Sequence, residues 1–157
     1  MISNQNRKFR LWLCLLLINL AIIWGNSLLP GHISGAISNA VKDFILLLLP
    51  LKQGGSPGGG GLIRKLAHFT EFTCLGICLS QLLRIKCNKQ WKNILLPSLF
   101  GVAAAAIDET IQRFVPNRGP GIKDVLLDSA GVITGVIIVT MIYRFKSKKQ
   151  SVLEDKK

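Results

Sequence analysis

The chain has 157 residues, 49% of them hydrophobic, a formal net charge of +12 and a mean hydropathy of +0.40. The length accommodates one domain, and the hydropathy is high for a soluble globular protein of this size. The charge could suit a phosphate backbone, but it falls in clusters between apolar runs, which points to a membrane protein and away from nucleic acid.

A helix of about 20 apolar residues crosses the hydrocarbon of a bilayer. The first such run, at 11–29, follows Arg7, Lys8 and Arg10. "NRKFR" before "LWLCLLLINLAII" also has the form of a secretory leader, with a conceivable cleavage site at 34–36; the length of the run favours a span. The segment at 36–51, which contains "NAVKDFILLLLPL", is too short and too interrupted to cross, and is expected as an interfacial or re-entrant helix. Residues 54–61 read as a flexible glycine-rich linker, and the absence of a GK[ST] ending sets aside a phosphate-binding loop. Further spans are expected at 62–83, 94–111 and 125–143, followed by a solvated tail at 144–157.

The fold expected is therefore all-α: one polytopic membrane domain over 1–157 with four transmembrane helices and a short extra helix in the first connection. Arg84, Lys86, Lys89 and Lys92 separate the second and third spans, and Arg144, Lys146, Lys148 and Lys149 follow the fourth. Cationic residues resist translocation, so these alternating clusters place both termini and the middle loop in the cytoplasm, in a multi-pass cell-membrane protein. Cys14, Cys74 and Cys78 lie in expected spans and Cys87 in the middle loop, so none is expected in an oxidising compartment. Cys74 and Cys78 share a helix face, but two thiols without facing ligands are a poor metal site.

Polar residues gather at the other ends of the spans. The first exits through Asn26 and Ser27; the second begins with Arg64, Lys65, His68 and Glu71; the third ends on Asp108, Glu109, Gln112 and Arg113; the fourth opens with Asp124 and Asp128 after Arg118 and Lys123. Residues three or four apart share a helix face. Asp124, Asp128, Gly131 and Gly135 thus form one stripe, and its glycines permit close helix approach. An ionised side chain facing lipid at the bilayer centre costs roughly 2.5–3.5 kcal/mol. The acids are accordingly expected around a shared polar pocket on the outer side, with Lys65, Arg113, Arg118 and Lys123 as counter-charges.

The runs "RKLAHFTEF" (64–72) and "DETIQRFVPNRGPGIKDVLLDSAG" (108–131), with "NSLLP" at 26–30, resemble the signature segments of VanZ-like membrane proteins. Lys65, His68 and Glu71 match that family's second-helix polar set, and Asp108, Glu109 and Gln112 its third-helix set. Arg118 matches the arginine after the proline, Asp124 the aspartate opening the last helix, and Gly131 its glycine. Asp128 stands where asparagine also occurs, and "PNRGPG" departs from the commoner "PGR". The resemblance implies a small bacterial envelope protein whose namesake is linked to teicoplanin resistance; it implies no settled reaction.

Three readings of the polar set stay open. In the preferred one, Lys65, His68, Glu71, Asp108, Glu109, Gln112, Arg118, Asp124 and Asp128 bind a charged headgroup, that of a cell-wall lipid precursor or of a lipoglycopeptide, beside membrane lipid. In the second, Asp108, Glu109, Asp124 and His68 are catalytic, as general acid and base or around a divalent cation. No cofactor is expected in the preferred reading; if a cation is held, Asp108, Asp124 and Asp128 are the carboxylates to hold it. In the third, the charges only fix helix packing.

Overall fold

A computed structural model describes residues 2–48, 59–87, 89–119 and 121–154 of the chain. These form five helices, α1 (Ile2–Ser27), α2 (Gly31–Leu48), α3 (Gly59–Lys86), α4 (Lys92–Gln112) and α5 (Ile122–Glu154), and no strand. Within α1, α3, α4 and α5 lie four stretches long and apolar enough to cross a membrane: Asn4–Ser27, Gly61–Lys86, Lys92–Gln112 and Ile122–Ser151. The fold is a helical membrane bundle.

Helix α3 is the hub and packs against each of the other four. Its closest partner is α5, and small residues explain why. A Cβ on Gly131 would lie 2.6 Å from the Phe69 carbonyl oxygen, and one on Gly135 would overlap the Thr73 carbonyl and sit 2.9 Å from the Ile77 nitrogen. From the facing side, a Cβ on Gly76 would overlap the Val132 carbonyl. Backbone thus meets backbone where lipid tails, as apolar as leucine, give side chains no hydrophobic reason to associate. Gly101 on α4 admits the Val132 side chain in the same way.

Around this seam Ile23, Phe72, Leu75, Ala105, Val132 and Val136 form the buried core. Outward-facing positions are apolar too: Leu17, Ile18, Leu66, Leu95, Leu99, Phe100, Leu126 and Ile137 are all exposed. An apolar exterior around buried polar groups such as Asp108, Asp128 and Gln112 reverses the arrangement of a soluble protein and suits lipid as solvent.

At one end the basic clusters converge. Arg84 donates to Thr140 Oγ1 at 3.1 Å and stacks over the Tyr143 ring, while Lys86 lies over the Phe9 ring. These contacts tie the end of α3 to α5 and to the start of α1. The middle connection, with Lys89 and Lys92, is at that end by the up-and-down course of the helices.

Three segments differ from the sequence expectation. The extra helix is α2, which starts at Gly31, five residues before the expected segment; residues 49–51 lie outside the described residues. Pro30 sets this start, because its carbonyl accepts from the Ile33 and Ser34 nitrogens and opens the helix without needing an N–H of its own. Within the expected linker at 54–61, residues 59–61 already belong to α3, and 54–58 lie outside the described residues. Of the expected tail at 144–157, residues 144–154 continue α5, exposed through Ser151, and 155–157 lie outside the described residues. Helical hydrogen bonds propagate cheaply once a buried segment has nucleated them.

The connection from α4 to α5 folds back onto α2. The Gly31 nitrogen donates to the Pro116 carbonyl at 3.1 Å, and Asn117 turns the chain with φ 57°, a left-handed conformation that asparagine tolerates. A Cβ on Gly31 would overlap the Asn117 carbonyl. Gly31→Ala is therefore expected to push this loop off α2 and cost about 1–3 kcal/mol. Faster proteolysis within 113–119 in detergent is the measurement, with Asn117→Gly close to wild type because glycine accepts the same φ.

Candidate functional site

The end of the bundle opposite the basic clusters collects polar side chains from every helix. Helix α1 brings Asn26 and Ser27, α2 brings Ser34 and Ser38, and α3 brings Arg64, Lys65, His68 and Glu71. Helix α4 brings Asp108, Glu109 and Gln112, the following loop Arg118, and α5 Asp124 and Asp128.

Two threads of hydrogen bonds organise them. Asn26 Nδ2 donates to Glu71 Oε1 at 2.6 Å, and Asn19 Nδ2 to the Glu71 carbonyl at 3.3 Å, joining α1 to α3. Gln112 Nε2 donates to Asp108 Oδ2 at 2.8 Å, one helical turn away, and to Ser27 Oγ at 3.3 Å, joining α4 to α1. Glu109 points the other way on α4 and accepts through Oε1 from the Gly121 nitrogen, which anchors the approach to α5. Lys65 Nζ lies 3.8 Å from Asp124 Oδ1 in the first turn of α5, where a carboxylate also meets the positive end of the helix dipole.

Arg118 is the strap of the assembly. Its Nη2 donates to the Asn26 carbonyl at 2.6 Å, Nε to the Leu29 carbonyl at 3.2 Å and Nη1 to Gln112 Oε1 at 3.2 Å. Two of these acceptors are carbonyls at or just past the end of α1, and the Asn26 carbonyl takes the Arg118 bond beside the one it accepts from the Leu29 nitrogen. A guanidinium has five N–H donors, so two are left over. Burial, then the nearby Arg64 guanidinium, push Arg118 down from its ordinary value, while Asp108 and Glu109 pull it back up. It stays protonated even so.

Of the four cations expected as counter-charges, Lys65 alone is in an ion pair among the described residues. Arg113 and Lys123 are exposed, and Arg118 spends its donors on carbonyls and an amide. The reason is geometric: Arg113 ends α4 on its outward face, and the loop carries only Arg118 inward.

A cavity of about 90 Å³ opens here, lined chiefly by Asn26, Ser34, Arg64, His68, Glu71 and Arg118. Arg64 and Arg118 both face it, and neither is in an ion pair among the described residues. A second space of about 20 Å³ lies beyond His68, lined by Lys65, His68, Gln112, Asp124 and Asp128 among others. His68 forms part of the wall of both. Of the nine residues singled out in sequence, eight gather around these two spaces and Glu109 turns away to the Gly121 nitrogen; Arg64, Ser34 and Ser38, which also line them, were not among the nine. Arg64 could have been found from its place one turn before His68; the serines of α2 carry no signal until α2 is known to lean on α3.

No curated protein and no solved structure matches this chain. A family model described as VanZ/LLP1 does match, over residues 9–143, from within α1 to within α5. The polar stations of α3, α4 and α5 and the strap Arg118 all fall inside that stretch, and the chain belongs to the VanZ/LLP1 family.

Proposed function

We propose that the protein sits in the bacterial cell membrane with both termini in the cytoplasm, and that its polar pocket receives an anionic headgroup at the outer leaflet. The headgroup belongs to a cell-wall lipid precursor or to a lipoglycopeptide, and the protein thereby contributes to teicoplanin resistance. Sidedness rests on the basic clusters, which share the end opposite the pocket.

One observation carries the reading: two guanidinium groups, Arg64 and Arg118, line one small cavity without a carboxylate partner. Like charges repel, and the nearby presence of Arg64 already lowers the proton affinity of Arg118. An anion between them relieves that repulsion and takes up the free N–H donors of Arg118, in the forked geometry that phosphate and carboxylate favour. Serines 34 and 38 and Asn26 add neutral polar groups to the same wall. At about 90 Å³ the cavity holds a few waters, at roughly 30 Å³ each, or one phosphate group. The rest of such a ligand stays in lipid or water.

Arg64 is the residue to test, because it makes no side-chain hydrogen bond among the described residues and its loss leaves the helix contacts in place. Wild-type protein expressed in a susceptible bacterium is expected to raise the inhibitory concentration of teicoplanin, and Arg64→Glu to remove the rise at equal membrane abundance. Native mass spectrometry should find a phosphate-bearing lipid on the purified wild type and lose it in Arg64→Glu. Retention of both properties in Arg64→Glu refutes the reading.

A further inference from the structure

Beside the anion pocket lies a second constellation of different chemistry. One ligand atom from each of His68, Asp108 and Asp128 falls within 4.8 Å of the others. The three come from α3, α4 and α5, so the bundle itself, not a local motif, brings them together. Asp108 and Asp128 are 0% and 2% exposed. Each has a buried Oδ1 without a hydrogen-bond partner among the described residues, and His68 Nδ1 is in the same condition. His68 Nδ1 stands 4.0 Å from both Asp108 Oδ2 and Glu71 Oε2, too far for a hydrogen bond to either.

Orphaned acceptors on two buried carboxylates cost more than a native interior usually tolerates. The neighbouring cations do not relieve them: Lys65 pairs with Asp124, and Arg118 is held by carbonyls. From these groups we infer that His68, Asp108 and Asp128 form a binding site for one divalent transition-metal cation. Two carboxylates balance the double charge, and an imidazole favours zinc, manganese or iron over calcium or magnesium, which prefer oxygen alone. Zinc sits roughly 2.0–2.2 Å from such ligands, which places two corners of its tetrahedron about 3.3–3.6 Å apart. His68 Nδ1 and Asp108 Oδ2 stand 4.0 Å apart, so the cluster closes on an ion by small side-chain rotations. Gln112 Nε2, donating to Asp108 Oδ2, orients that carboxylate as outer-shell partners of metal ligands do.

Three protein ligands leave coordination positions open. The space of about 20 Å³ beside His68 and Asp128 has room for a water on the ion. The site departs from the carboxylate trio suggested by sequence, because Asp124 is drawn off by Lys65 and His68 takes its place. It stands on these three side chains alone and does not require that a headgroup bind next door.

The test uses the full chain in detergent, stripped with chelator and then offered Zn²⁺, Mn²⁺ or Co²⁺ alone. Elemental analysis after desalting should find one equivalent of at least one of the metals on wild type and on Asp43→Asn, whose carboxylate is exposed on α2. Asp128→Asn and His68→Gln should hold far less. The Co²⁺ form of the wild type should show visible bands of an ion in a nitrogen and oxygen environment, shifted or lost in His68→Gln. Wild-type protein that elutes as a single species yet takes up none of the three overturns the inference, as does equal uptake by folded Asp128→Asn. The wild-type measurement decides even if a variant fails to fold. A metal-free protein that still protects through Arg64 would sink this inference and leave the anion pocket standing.

Discussion

Gly135→Leu is expected to abolish the folded bundle, and Gly135→Ala to destabilise it by about 1–3 kcal/mol. The backbone of α5 at this position lies against that of α3, and the first atom of any side chain would overlap the Thr73 carbonyl. The neighbour is main chain in a regular helix and cannot rotate away, so the two helices must part. Gly131 and Gly76 share the seam, so parting at one site loosens all three. Because α3 also touches α1, α2 and α4, the damage spreads through the hub. The measurement is thermal unfolding in detergent, with Gly25→Ala and Gly35→Ala as references. Nothing lies within 4 Å of a Cβ at either of those glycines, so alanine should be neutral or mildly stabilising. Equal melting of Gly135→Ala and Gly35→Ala would refute the account of the seam.

The second large effect is at Arg118. Arg118→Ala should cost about 1–3 kcal/mol, because it strands the Leu29 carbonyl and the Gln112 amide oxygen and leaves the Asn26 carbonyl with only its bond from the Leu29 nitrogen. The figure is smaller than three charge-assisted bonds would total, since alanine also recovers the desolvation of a half-buried guanidinium and the adjoining cavity lets water reach some of the acceptors. Arg118→Lys should recover part of the loss, as an ammonium cannot span the three acceptors in one plane. The sign of the pH effect follows from the direction of the shift. A base whose folded value is lowered changes stability only where the proton is leaving, and a guanidinium stays protonated throughout the range in which the fold can be studied. Arg118's own ionisation should therefore add no pH dependence across the accessible range. Arg118 and Arg64 separate two roles that a single alanine would confuse. If Arg118 acts only as a strap, Arg64→Glu leaves lipid retention intact; if both face an anion, Arg64→Glu loses it without lowering the melting temperature.

Much of this molecule is legible one residue at a time. Apolar runs of sufficient length declare four spans because lipid leaves the backbone no partner but itself. Four carboxylates between two such runs must turn inward, so the existence of a polar pocket, and most of its members, follows from cost alone. The stripe Asp124, Asp128, Gly131, Gly135 gives both the acids and the seam beneath them, since helical spacing is a local property.

Pairing is another matter. Whether Asp124 meets Lys65 or joins Asp108 and Asp128 depends on how far α5 is turned against α3, and that rotation is set by Gly76, Gly131 and Gly135 in contact. That Arg118 grips the end of α1, residues 92 and 89 positions away, depends on a loop whose turn at Asn117 is fixed by its contact with Gly31. Which cations are spent on acids and which are left for a ligand is likewise decided by those two contacts. Covalent order states what each helix carries, whereas only the docking of one helix on another states which charges meet, because neutralisation at short range depends on separations of a few ångströms that no spacing along the chain encodes.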